Sequence, residues 1–196
     1  MVRREAQEAM RVRGIEGLDN MFSYSGYLTV NETYDSNLFY WFFPAQSNQS
    51  DAPVLLWLQG GPGAPDEFGL FVEIGPYTLA ADNKSLVPMN YTWNKNISLL
   101  FIDNPVGVGF SYTNDTRGYS TNEIEVAQNL YAALLQFFTI FKQVKNNKFY
   151  IAGESYAGKY TPALAYKILT ENNNGNLKSS NFHINLCGIA IGDGFT

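Results

Sequence analysis

Cysteine and histidine are almost missing from this chain, which has one of each in 196 residues. A lone Cys187 excludes an internal disulfide, and its place in the apolar run 184–191 predicts a buried small hydrophobe. Basic clusters are also scarce. Beyond Arg3-Arg4 with Arg11 and Arg13, lysine and arginine do not gather, and with a net charge of -5 this excludes nucleic acid as a partner. No run of eighteen apolar residues occurs, so neither a transmembrane helix nor a membrane partner is expected. The polar opening, residues 1–13, lacks the apolar core of a signal peptide.

What is present is a large apolar supply, 45% of residues with 15% aromatic, enough to bury the core of a single domain. Glycan acceptor triplets are abundant. Asn31, Asn48, Asn83, Asn90, Asn96 and Asn114 each open an Asn-x-Ser/Thr sequon, where this composition would give about two by chance. They predict a secretory-pathway chain, secreted or lysosomal, whose targeting segment lies outside these residues.

Residues 1–20 are charged and glycine-broken, with a weak helical pattern up to Arg13, and are read as a polar leader to a domain at 21–196. The β-branched and aromatic runs 25–30 and 38–43, joined by a polar turn, predict an antiparallel hairpin. Residues 54–58 are apolar without alternation, as a strand covered on both faces should be, and a glycine-rich loop follows at 59–65. Asp66 opens a short helical candidate through Glu73, and the polar stretch 78–96 is expected to run over the surface. A second buried strand is predicted at 97–102. The Gly107-Val108-Gly109 that follows is no dinucleotide loop, because no third glycine and no helix come after it. In the strongest helical segment, Ile124, Ala127, Tyr131, Leu134, Phe138 and Phe141 recur at spacings of three and four. Ser120 and Glu123 are placed as its capping box, with Tyr119 and Ile124 as a hydrophobic staple. A strand at 149–152, a helix from Tyr156 to about Thr170, and a last strand at 184–191 complete the chain. Pro162 predicts a kink or a restart of that last helix, with Thr161 as cap.

Strands alternating with helices from Val54 onward require parallel pairing and right-handed crossovers, giving an α/β fold with helices on both sheet faces. Ligands of such sheets bind outside the carboxyl ends of the strands, and both glycine-rich loops, 59–65 and 153–158, leave strands there. The second loop has the form of a nucleophile elbow. An apolar strand turns sharply into a helix, with small residues, Gly153 and Ala157, two positions either side of Ser155, where larger side chains would collide with strand and helix. Acyl transfer at a serine also needs preorganised donors for the oxyanion. Backbone amides of Gly60-Gly61 and of Tyr156 approach from two sides.

Three blocks carry a resemblance: Trp57-Leu58-Gln59-Gly60-Gly61-Pro62-Gly63; Asp103-Asn104-Pro105-Val106-Gly107-Val108-Gly109-Phe110-Ser111-Tyr112; and Gly153-Glu154-Ser155-Tyr156-Ala157-Gly158-Lys159-Tyr160. In wording, order and spacing they resemble the signature blocks of serine carboxypeptidases, α/β-hydrolase-fold exopeptidases, and are closest to the vitellogenic-like branch. The resemblance runs from about Tyr24 to the end and covers the amino-terminal half of that catalytic domain, so the fold is expected to be an α/β-hydrolase truncated after its sixth core strand. It implies Ser155 as nucleophile and the amides of Gly61 and Tyr156 as oxyanion hole. It further implies that Gln59, Glu73 and Glu154 bind the terminal carboxylate of a peptide substrate, without metal or cofactor. One departure is plain: after Gly63 the family has a small residue and two serines, and this chain has Ala64-Pro65-Asp66.

Triad order on this fold is serine, acid, histidine, the latter two following later strands. His183 precedes a strand that should run parallel to 149–152, which puts it at the opposite sheet edge from Ser155. Asp193 is at the correct edge but has no imidazole to orient. The 196 residues alone are therefore expected to be inactive. Alternatives to a peptidase are a non-catalytic secreted module binding peptides or partners, and an acyltransferase or esterase on the same fold.

Overall fold

A computed structural model describes residues 2–18, 21–173 and 182–196. Residues 172–181, polar in sequence and expected as a loop between the last helix and the last strand, therefore lie mostly outside the described residues. The hairpin forms as expected, with β1 (Tyr24–Asn31) antiparallel to β2 (Ser36–Phe43). β3 (Val54–Leu58), β6 (Ser98–Ile102), β7 (Phe149–Glu154) and β8 (Leu186–Gly192) are parallel to one another. The sheet order is β1-β2-β6-β3-β7-β8. β3 and β6, the inner strands, are buried at every position, which explains their unbroken apolar sequence.

Period-two alternation divides the strand side chains between two cores. On one face Tyr40, Phe42, Leu56, Leu100, Phe149 and Ile151 pack under α2 (Glu123–Ile140) and α3 (Ala157–Asn173). Phe137 is its centre, with ring centroids 5.0 Å from Phe42, 4.9 Å from Phe141 and 5.2 Å from Phe138. On the other face Trp41, Leu55, Trp57, Leu99 and Phe101 pack against Leu18, Leu70, Ile74, Tyr77 and Leu86. The helical cover of this second face, among the described residues, is a short π-helical turn, Gly69–Glu73, and a 3-10 turn, Trp93–Lys95, whose Trp93 ring stands 6.0 Å from Trp57. A small hairpin of β4 (Tyr77–Leu79) and β5 (Leu86–Pro88) accompanies it, where the sequence predicts only a surface stretch. That stretch is also pinned from within. Asn94 is fully buried, and its Nδ2 donates to the carbonyls of Phe43, Pro44 and Ile97, each at 3.1 Å.

The predicted leader is docked for much of its length. After α1 (Val2–Ala9) the backbone bonds to β1 through Ser25 N–H to Met10 O and Val12 N–H to Ser23 O, and Leu18 is buried in the second core.

Three local expectations are corrected. The cap of α2 is Asn122, whose side chain accepts from Glu125 N–H at 3.0 Å while Glu125 Oε2 accepts from Thr121 N–H at 2.7 Å; Ser120 receives a bond from Asn129 instead. The cap thus lies two residues later than predicted, with Glu125 reaching back to the N–H of the residue before it, and Ile124 is 71% exposed, so it staples nothing. α3 runs through Pro162 as one helix, and Thr161 Oγ1 has no partner, so no restart occurs there. A proline five residues into a helix removes one bond near the end, a local cost that packing of Tyr160, Leu164 and Ile168 overrides. Cys187 is exposed rather than buried among the described residues, where β8 has a strand neighbour on one side, β7, and Ile189 and Ile191 are 46% and 39% exposed beside it.

The cap correction is measurable. Asn122→Ala should lower the free energy of unfolding by about 1 kcal/mol in urea denaturation, and Ser120→Ala by clearly less; equal losses would restore the cap to Ser120.

Candidate active site

β7 ends at Glu154, and the chain turns into α3 through Ser155, which has φ +54. That left-handed backbone at a non-glycine residue costs on the order of 1 kcal/mol and persists only where its surroundings fix it. Here they do. Ser155 N–H donates to Gly192 O at 3.0 Å, and Ser155 O accepts from Phe195 N–H at 2.8 Å and Gly158 N–H at 2.9 Å. The Phe195 ring stacks on Tyr156 at 5.9 Å, so the segment after β8 clamps the corner on both backbone and side chain. The small residues expected around Ser155 are needed. A Cβ on Gly153 would lie 2.5 Å from Leu58 O and 2.6 Å from Ala157 Cβ.

The loop leaving β3 reaches the same corner. A Cβ on Gly60 would stand 2.8 Å from Ser155 Cβ and 2.8 Å from Tyr156 N, so only glycine lets the loop approach this closely. Among the described residues, neither the Gly61 nor the Tyr156 amide donates a hydrogen bond. Two N–H groups without a partner among the described residues thus belong to the two loops that meet at Ser155.

Next to them stands a polar cluster. Gln59 is buried; its Oε1 accepts from Trp57 Nε1 at 2.8 Å and its Nε2 donates to Glu154 Oε1 at 3.0 Å, which fixes the amide orientation. Glu73, carried by the π-helical turn, faces Glu154 and Gln59. Burial first, then the charge of Glu154 and a hydrogen bond shared with it, push the Glu73 carboxyl up to about 7. Its Oε2 is buried with no partner among the described residues, an open position in an otherwise closed network. The structure thus brings Gln59, Gly61, Glu73, Glu154, Ser155 and Tyr156 together.

It does not bring the histidine. Phe149 pairs with Leu186 at the start of β7 and Glu154 with Gly192 at its end, so exposed His183, before Leu186, occupies the edge opposite Ser155. Asp193 lies at the Ser155 edge, exposed, with φ +49.

A buried acid pair beneath the site has no counterpart in the sequence expectations. Asp66 is 1% exposed and accepts from Gln59 N–H at 2.7 Å and Ile102 N–H at 2.9 Å. Asp103, also 1% exposed, accepts from Asp66 N–H at 2.9 Å and Phe110 N–H at 2.7 Å. Burial holds the Asp66 carboxyl well above the usual range, against the two N–H donors. Neighbouring Glu67 is pushed up to about 8, by burial and then by a hydrogen bond and the charge of Asp103. Asp103 opens the second signature block and Asp66 departs from the first, but neither segment's own pattern shows that the two are buried together, since the partners that hold them are backbone N–H groups.

A parallel sheet with a strained serine corner after one strand and a glycine loop after its neighbour defines an α/β-hydrolase. The chain belongs to the serine carboxypeptidase family, whose profile matches residues 14–196. It is 58% identical over 177 residues to a probable serine carboxypeptidase, CPVL, of Homo sapiens and 48% identical over 179 residues to the vitellogenic carboxypeptidase of Aedes aegypti. Those alignments cover 90% and 91% of this chain but 36% of each relative, so the chain spans about a third of their length. Among solved structures, the prohormone-processing carboxypeptidase Kex1 of Saccharomyces cerevisiae superposes with TM-score 0.86 at 28% identity, over 96% of this chain and 44% of that one.

Glu67 makes stability depend on pH. Its folded carboxyl titrates near 8, above the ordinary glutamate value of 4.5, so between those values the folded chain binds the extra proton and loses stability as pH rises through about 8. Thermal midpoints at pH 5, 7 and 9 should fall with pH, and Glu67→Gln should fall less; parallel decreases in both would remove Glu67 as the cause.

Proposed function

We propose that this chain supplies the nucleophile half of a serine carboxypeptidase, which removes carboxy-terminal residues from peptides through an acyl-enzyme. The observation that carries the reading is the convergence of Ser155, at φ +54, with the uncommitted Gly61 and Tyr156 amides beside the Gln59–Glu73–Glu154 cluster. In this reading Ser155 Oγ attacks the terminal peptide carbonyl, its proton passing to a base that these residues do not supply. The two amides hold the oxyanion as the bond order of that carbonyl falls. The substrate carboxylate is bound by Gln59 and by a protonated Glu73, whose unpartnered oxygen suits a donor to an anion.

Ser155→Ala in the full-length protein should abolish peptide turnover, since no second hydroxyl occupies the corner; retained turnover overturns the nucleophile. The glutamate pair predicts a pH dependence with a definite sign. Below about 7 Glu73 is neutral and donates; above it a second negative charge repels the substrate carboxylate, so kcat/KM for peptides falls as pH rises through that value. An ester lacking the terminal carboxylate should show a flatter profile over the same range, and coincident profiles would contradict the assignment.

The 196 residues by themselves should not hydrolyse peptides, because a base must come within about 2.6–3.2 Å of the serine oxygen, or one water away, and His183 is a strand length away. Turnover by the isolated chain that vanishes in His183→Ala would refute this.

A secretory location, lysosomal or extracellular, follows from the sequons. Asn48, Asn83, Asn90, Asn96 and Asn114 are exposed, while half-buried Asn31 has its side-chain oxygen engaged by Thr33 and Tyr34 N–H. A carboxypeptidase of Apis mellifera venom is 52% identical over 174 residues. No helix among the described residues is long and apolar enough to cross a membrane.

A further inference from the structure

Asp66 occupies the point where three segments of the site edge meet, and its carboxylate bonds to backbone N–H groups. The last parallel pair between β3 and β6 is Trp57 with Phe101; one residue beyond on β6 and two beyond on β3, the N–H groups of Ile102 and Gln59 no longer have a strand partner across the gap. The Asp66 carboxylate fills that gap, one oxygen on each N–H, at 2.9 and 2.7 Å. The other side of Ile102 is already taken up by β2, through its pairing with Tyr40. Asp66 is held in turn: its own N–H donates to Asp103 Oδ1, and its carbonyl accepts from Leu70 N–H at 3.0 Å, the turn that carries Glu73. Within the loop so closed, Ala64 N–H bonds back to Gly60 O at 3.1 Å.

We propose that Asp66 is a positioning residue for the reaction: it sets the 59–66 loop, so that the Gly61 amide and the Gln59 side chain stand where the oxyanion and the substrate carboxylate need them. The inference rests on the carboxypeptidase reading above. Gly60, Gly61 and Gly63 have no side chains to fix the loop at its middle, and an oxyanion donor works only if it does not reorganise when charge develops. A buried two-acceptor clamp at the loop's root supplies that rigidity. Removing it would also strand two buried N–H groups. At this position, where the resemblance leads one to expect serine, the chain thus carries a side chain with one acceptor oxygen for each of the two N–H groups.

The test is kinetic, on the full-length protein, with a peptide and with an ester that lacks the terminal carboxylate. Asp66→Ala should lower kcat per folded molecule for both substrates, by about 10- to 100-fold, less than the loss of a whole oxyanion donor. It should raise KM for the peptide, through Gln59, and leave KM for the ester within twofold. Asp66→Asn, which keeps one acceptor oxygen of the two, should recover part of kcat and part of the peptide KM. If Asp66→Ala does not fold, Asp66→Asn against wild type carries the same comparison. A purely architectural role would lower the thermal midpoint while kcat per folded molecule stayed at the wild-type value for both variants, and that result overturns the proposal. The function itself is tested separately by Ser155→Ala. Turnover surviving that change sinks the carboxypeptidase reading, whereas turnover lost there but unchanged in both Asp66 variants sinks only the clamp.

Discussion

The site depends on holding one serine in a backbone conformation it would not choose. At φ +54 Ser155 points its hydroxyl out of the corner between β7 and α3, and the cost is met by a neighbouring strand rather than by local sequence. Gly192 O and Phe195 N–H, from the far end of β8, grip the Ser155 peptide groups on both sides, and Gly158 lies against the Phe195 backbone. The corner therefore exists only because β7 and β8 are parallel and in register, so that both end at the same edge. Parallel register in turn follows from two buried layers. The Phe137-centred cluster under α2 and the Trp57 cluster on the opposite face leave the inner strands β3 and β6 one position in which their alternating side chains are all covered.

That same edge collects charge. Glu73 and Glu154 share a hydrogen bond close to the serine, and Asp66, Glu67 and Asp103 lie beneath the glycine loop. Carboxylates crowded out of water repel one another and hold protons, which ties the behaviour of the site to acidic conditions. The two sets differ in what satisfies them. Asp66 and Asp103 end on backbone N–H groups and are closed, whereas Glu73 keeps one buried oxygen unpartnered among the described residues, beside the serine corner.

The strands β3 and β6 were legible because both faces are buried and their sequences are apolar at every step, and the elbow was legible because Gly153 and Ala157 mark a steric demand that the Gly153 contacts bear out. Errors fell where local patterns compete. The Ser120-x-x-Glu123 and Asn122-x-x-Glu125 spacings both fit a capped helix start, and the structure uses the second. Cys187 and its neighbours read as core because their apolar run is indistinguishable from that of β3. Among the described residues β8 has a strand neighbour on one side, β7, which is invisible in the run itself, and they are exposed.

By itself the sequence determined the periodicities, the glycines where chains must touch, and the order of strands and helices. With them it determined an α/β-hydrolase sheet bearing Ser155 at one edge and a lone histidine at the other. Tertiary structure alone decided which polar groups became neighbours. Gln59 meets Glu154 across 95 residues of chain and Asp66 meets Ile102 across 36, and nothing in either segment's own pattern encodes the partner. Hydrophobic pattern is a local property that repeats with the backbone. A buried hydrogen bond is set by where two distant backbones are brought, and its strength and protonation exist only once water has been excluded from both.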